Sequence, residues 1–215
     1  MKFILLLKKG LKLLLSKYLI LLLLVILISG CEKKNGDMAP PVNNNMDNSE
    51  ELIKGLNSIL KSEVNFALKG NFSGDSTQQV VTGTEILTKK EWGIKFHLFE
   101  VKDNKPEKKN DTKLLDGSFK DCRVDKLKIP GINRDLVYYN SLNYFMGSAG
   151  GEIFSYIIDF KDQKTYYAHL VTEPGKPVYL FLSVNNNQEI FLYFTSAFKK
   201  DFPVFKLVSK DPVLN

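Results

Sequence analysis

Hydrophobic patterning divides the chain into three regimes. From Leu19 to Ile28 every residue is apolar, from Glu32 to Asn48 no apolar period can be traced, and from Ser49 onward apolar positions recur first at intervals of three and four, then of two. The helical stretch is Leu52, Ile53, Leu56, Ile59 and Leu60, preceded by Ser49 as N-cap and by Glu50 and Glu51 in the first turn, which predicts a helix ending near Lys61. Alternation then takes over. Val64, Phe66 and Leu68 predict a strand running toward Phe72 and closed by the turn Ser73-Gly74-Asp75; Trp92, Ile94, Phe96 and Leu98, alternating with Gly93, Lys95 and His97, predict another. The charged stretch Lys102 to Lys113, interrupted by Pro106, reads as a solvated loop.

The C-terminal half predicts an antiparallel meander of Glu152–Phe160, Thr165–Val171, Val178–Val184 and Glu189–Thr195, joined by Lys161–Lys164, Glu173–Pro177 and Asn185–Gln188. Connections this short favour hairpins over βαβ crossovers. Two of these strands are apolar on both sides: Val178, Leu180 and Leu182 with Ile190, Leu192 and Phe194 on one, Tyr179 and Phe181 with Phe191 and Tyr193 on the other. A sheet with one wet face alternates cleanly, so both faces here are expected to be covered. The expected class is α+β, mostly β: one N-terminal helix and an antiparallel sheet ending in a four-strand meander, as a sandwich or a partly closed barrel. In the curved version Tyr167, Tyr179, Phe181, Phe191 and Tyr193 would line an aromatic concave face for an apolar ligand such as an acyl chain.

Chemistry enters at the N-terminus. Lys2, Lys8, Lys9, Lys12 and Lys17 precede the apolar run with no acid among the first thirty residues, and the run closes on Ile28-Ser29-Gly30-Cys31. A bilayer-spanning helix needs roughly 20 apolar residues, more than Leu19–Ile28 supplies. Two small residues before a cysteine at the end of such a run resemble the lipobox of bacterial prolipoproteins. That resemblance implies cleavage between Gly30 and Cys31, attachment of a diacylglyceryl group to Cys31, and a mature cysteine carrying at least two acyl chains such as palmitate. Two chains hold a protein firmly to a bilayer without spanning it. Residues 1–30 are then a signal peptide, 31–48 a lipidated flexible tether and 49–215 a single β-rich domain. As a polar coil of 17 residues, Glu32–Asn48 would hold the domain roughly 20–25 Å from the membrane. In enterobacterial lipoproteins an Asp after the lipidated cysteine favours inner-membrane retention, so Glu32 points to the outer membrane.

Composition changes meaning once the signal is set aside. The whole chain carries 30 basic and 24 acidic residues; without the five signal lysines the balance is 25 to 24, so the basicity belongs to export and a nucleic-acid partner is not expected. With Cys31 lipidated, Cys122 has no disulfide partner, and its place in Phe119–Val124 gives it the same face as Val124 and the character of a small buried hydrophobe. The loop Gly147-Ser148-Ala149-Gly150-Gly151 lacks the Gly-Lys-Ser/Thr of a phosphate loop and the first glycine of a nucleophile elbow, and reads as a turn or bulge. His97 and His169 have no metal-ligand spacing within their strands, and no metal or cofactor is expected. Two functions remain open. The chain is expected to be a non-catalytic envelope lipoprotein binding a partner protein or an apolar ligand; the alternative is an envelope hydrolase, for which Ser148, His169 and Asp159 are the set to test.

Overall fold

A computed structural model describes residues 49–75, 78–103, 105–144, 150–183 and 188–209. The segment read as a lipobox, with Gly30 and Cys31, the stretch 32–48 read as a tether, and Ser148 lie outside them. The order is α1 (Glu50–Leu60), β1 (Ala67–Gly70), β2 (Gln79–Leu87), β3 (Trp92–Lys102), β4 (Lys105–Asp111), β5 (Cys122–Leu127), β6 (Leu136–Tyr144), β7 (Gly151–Asp159), β8 (Lys164–Thr172), β9 (Tyr179–Leu182), α2 (Gln188–Asp201) and β10 (Lys206–Ser209). The described part is therefore mostly β, with two sheets that do not close into a barrel. One sheet is the antiparallel series β1-β2-β3-β4; the other runs β10-β9-β8-β7-β6-β5, antiparallel except where β10 pairs with β9.

Helix α1 forms where the three-to-four spacing places it. Leu52 and Leu56 are buried against Ala67, Val80 and Phe99 on the outer face of the first sheet, and Lys61 ends the helix in the left-handed conformation at φ 53°. Burying each leucine contributes on the order of 1.5–3 kcal/mol. The inner face of that sheet meets the second sheet through aromatic rings. Phe66, Phe96 and Phe119 make tilted and edge-on contacts, Phe96 and Phe119 both touch Tyr139, and Tyr139 stacks on Tyr156 at 5.8 Å.

Several polar groups between the layers are paired, while Asp135 Oδ1 and the Ser141 hydroxyl are buried without a hydrogen-bond partner among the described residues. The Tyr139 hydroxyl donates to the Ser118 carbonyl at 2.7 Å and accepts from the Ser118 amide at 3.0 Å, while Glu85 accepts from the Ser118 hydroxyl and the Phe119 amide. Asn71 and Asp135 join the sheets reciprocally: the Asp135 amide donates to the Asn71 carbonyl at 2.8 Å, and the Asn71 amide to Asp135 Oδ2 at 2.9 Å. Such pairing offsets the cost of taking polar atoms out of water.

Two sequence expectations are corrected. Lys102–Lys113 is not a loop, because Lys105–Asp111 forms edge strand β4. Pro106 is tolerated there because an edge strand leaves some amides unpaired, and the charge density protects the edge from further pairing. Ion pairs from Lys109 to Glu100 at 3.2 Å and to Glu107 at 3.0 Å tie it down.

The second correction is Glu189–Thr195, which is the first half of helix α2 and not the fourth strand of a meander. Ile190, Phe194 and Phe198 recur every four residues and are buried over Leu170, Leu180 and Leu182, with Glu189 at the N-terminal end and Lys199 and Lys200 at the C-terminal end. The alternation of Ile190, Leu192 and Phe194 stops at Ser196, whereas the spacing of four continues to Phe198, and Leu192 is exposed. Helix α2 is thus a crossover between parallel strands β9 and β10, a connection the short-hairpin rule did not anticipate. The meander itself comprises β5 to β9.

Candidate functional site

The strongest clustering of chemistry on the second sheet forms where β7, β8 and β9 lie side by side. Registration sets His169 opposite Phe154 on one side and Phe181 on the other. The imidazole stacks on the Phe154 ring at 4.5 Å and 10°, with Phe181 at 5.9 Å and Tyr167 at 6.0 Å. Across the diagonal, His169 Nε2 lies 2.9 Å from Glu152 Oε2. An ionised carboxylate only accepts, so Nε2 carries the hydrogen of this bond. Burial, with Asp116 and Glu152 nearby, pushes the Tyr167 phenol above its usual value and keeps it a neutral donor. Tyr167, His169, Glu152 and Phe181 are all half-buried. Ring faces beside a paired imidazole and carboxylate can hold a ligand by stacking and by exchange of hydrogen bonds.

The five aromatic residues expected to line one concave face do not do so. Tyr167 and Phe181 belong to the cluster on the His169 face, and Tyr179 follows Phe181 by strand parity. Phe191 and Tyr193 lie on α2 and pack over the opposite face, where the Tyr193 ring meets Tyr138 edge-on at 5.4 Å; burial pushes the Tyr193 phenol up to about 12. The split follows directly from the helical conformation of residues 188–201.

The expected hydrolase set is not assembled. Strand parity puts Asp159 and His169 on opposite faces, and Asp159 is five positions along β7 from Phe154, the partner of His169, or about 16 Å at ~3.3 Å per residue. Asp159 is instead 1% exposed and held by Arg134, whose Nε donates at 2.8 Å and which also reaches Asp162 at 2.7 Å. That is the arrangement of a structural ion pair.

His97 has a stronger polar environment than the sequence suggested. Its Nδ1 lies 2.8 Å from Asp111 Oδ1 and its Nε2 lies 2.8 Å from Thr84 Oγ1, a chain across β4, β3 and β2. Burial pushes the imidazole below its usual value, against the pull of Asp111, so the neutral ring accepts a hydrogen bond from the Thr84 hydroxyl at Nε2 and donates one from Nδ1 to Asp111. The order resembles an acid–base–nucleophile relay, yet His97 and Thr84 are both buried and a substrate has no approach to the hydroxyl. Asp111 also borders a cleft of about 290 Å³ between β4 and the β7–β8 turn, lined by the polar Asn110, Gln163 and Lys164 and the apolar Ile158 and Phe160 among others.

Cys122 shares a face with Val124 and packs against the inter-sheet core; burial pushes its thiol up to about 11, which leaves it protonated and unreactive at neutral pH. Among the described residues no group of three His, Cys, Asp or Glu side chains is placed to hold a metal ion, and no helix is long and apolar enough to cross a membrane. Both carboxylate–histidine pairs escaped the sequence because they form across strands: Glu152 and His169 are 17 residues apart, His97 and Asp111 are 14. Pairing of the predicted strands that carry Glu152 and His169 could have found the first; the second was out of reach because Asp111 lies in a stretch that reads as a loop.

A scan against protein-family models and searches of curated proteins and of solved structures find no match to this chain.

Proposed function

We propose that this chain is an envelope lipoprotein whose residues 49–215 serve as a non-catalytic binding module held to a membrane by acyl chains on Cys31. The observation that carries the reading is the Ser29-Gly30-Cys31 sequence closing the apolar run after five lysines. The near-neutral charge of residues 31–215 supports it, as does the separation of His169 from Asp159 on opposite faces of the second sheet. Glu32 after the lipid site favours the outer membrane. A partner lying on the surface beside Tyr167, His169 and Phe181 fits better than an acyl chain between the sheets, because Phe66, Phe96, Phe119, Tyr139 and Tyr156 fill that interior.

Metabolic labelling with palmitate tests the anchor. Label is expected on the wild-type chain and absent from Cys31→Ala, with the processed mass beginning at an acylated Cys31. A chain that takes up no label, or that retains its first thirty residues, refutes it. Native mass spectrometry of the processed protein separates the two kinds of occupant, since a co-isolated lipid beyond the Cys31 acyl chains would favour an apolar ligand over a partner protein.

A further inference from the structure

The β2–β3 hairpin carries its apolar character past the end of the core. Leu87 and Trp92 face each other directly across it and are 68% and 50% exposed, whereas Ile94, the next apolar residue inward on that face, is fully buried. The turn between them is ordered: the Thr88 amide donates to the Glu91 carbonyl at 2.9 Å, and the Glu91 amide to the Thr88 hydroxyl at 2.9 Å. Lys89 and Lys90 occupy its tip and are exposed, with Glu91 the single acid of the turn. A rigid element that holds an indole and a leucine in solvent, capped by two ammonium groups, has the chemistry of the water–hydrocarbon boundary. There the indole sits at headgroup level, the leucine adds apolar area and the lysines meet lipid phosphates.

We propose that the tip of this hairpin is a second membrane contact, inserting Trp92 and Leu87 into the headgroup region of an anionic bilayer while Lys89 and Lys90 bind its phosphates. This rests on the reading of Cys31 as a lipid anchor. The contact needs little intrinsic affinity, because an anchored chain meets the surface at high effective concentration. Chain length permits it: the 17 residues Glu32–Asn48 span at most about 55–60 Å when extended, at 3.3–3.6 Å per residue. The nine residues of β2 cover only about 30 Å at ~3.3 Å each. The tether's reach thus exceeds the length of the hairpin.

Trp92 is the chain's single tryptophan, so its emission reports the tip alone. The processed lipoprotein would be reconstituted into phosphatidylcholine vesicles with and without phosphatidylglycerol, some carrying brominated acyl chains. In the anionic vesicles the emission is expected to shift to the blue and to be quenched by bromine. Lys89→Glu and Lys90→Glu should each lower the inserted population about fivefold or more, with an unchanged circular dichroism spectrum. A protein that floats with the vesicles while Trp92 keeps the emission of a solvent-exposed indole overturns the hairpin contact and leaves the anchor standing. A Cys31 without lipid overturns the anchor alone; the unlipidated chain is then titrated with the same vesicles, where quenching upholds the contact and its absence overturns it. A blue shift that grows with protein concentration without vesicles assigns the tip to a second copy of the chain and also overturns it.

Discussion

At the residue scale, His97 shows how a buried polar side chain becomes a determinant of pH behaviour. Its neighbours are Thr84 on β2, Lys95 on its own strand, and Lys108 and Asp111 on β4. Burial lowers the folded-state value below the usual 6.5, so the unfolded chain binds the proton more readily. The stability contributed by the neutral ring is fully present above about pH 6.5 and is lost as pH falls through the folded value. Asp111 acts in a lower window. Burial opposes its charge, but Lys108 and His97 together hold the carboxyl below its usual 3.8, and its contribution disappears as pH falls through that depressed value. Urea midpoints measured from pH 7.5 to 5 should therefore decline, and His97→Gln should flatten the decline below about pH 6.5. A slope unchanged by the substitution would assign the titration to another group. Neither the pair nor its partners could be read from the spacing around His97, because the sequence has no local signal for a carboxylate fourteen positions away on a neighbouring strand.

At the element scale, helix α2 is where local pattern and final conformation parted. Residues 189–195 contain alternating apolar positions and several aromatic side chains, and over seven residues periods of two and of 3.6 overlap. What decides between them is the space above β8 and β9. Leu170, Leu180 and Leu182 form an apolar floor on one face of the sheet, and a helix covers it with Ile190, Phe194 and Phe198 from consecutive turns. A fourth hairpin strand would have extended the sheet and left this face bare. Phe194→Ala is expected to cost about 3–5 kcal/mol of unfolding free energy, while the exposed Leu192→Ala should change it by no more than about 0.5 kcal/mol. Similar losses at both positions would contradict the helical packing. Strand β4 went unread for the opposite reason. An edge strand stabilised by backbone pairing and by Lys109 with Glu100 and Glu107 needs no apolar face, so its composition is that of a loop.

At the scale of the whole molecule, the approach of the two sheets depends on a few positions where space was left for rings. Gly83 on β2 faces the inter-sheet core, and a methyl group added there would overlap the Phe119 ring and press on Phe66. Both rings also touch Phe96, and Phe119 touches Tyr139, so a shift that relieves the overlap disturbs those contacts as well. Gly83→Ala should destabilise by about 1–3 kcal/mol, and Phe119→Leu in the same chain should recover part of the loss; additive losses in a denaturation series would argue against a shared contact. The same packing explains which expectations survived. The sequence by itself determined the first helix, the β-rich character and the approximate limits of β3, β7, β8 and β9, because each depends on periodicity or order over neighbouring residues. Tertiary structure alone decided that β4 is a strand, that 188–201 is a helix, that the aromatic set splits between two faces, and that His97 and His169 each acquire a carboxylate. These depend on which strands become neighbours and on how much apolar surface each face must cover, and such long-range pairing leaves no trace in local order.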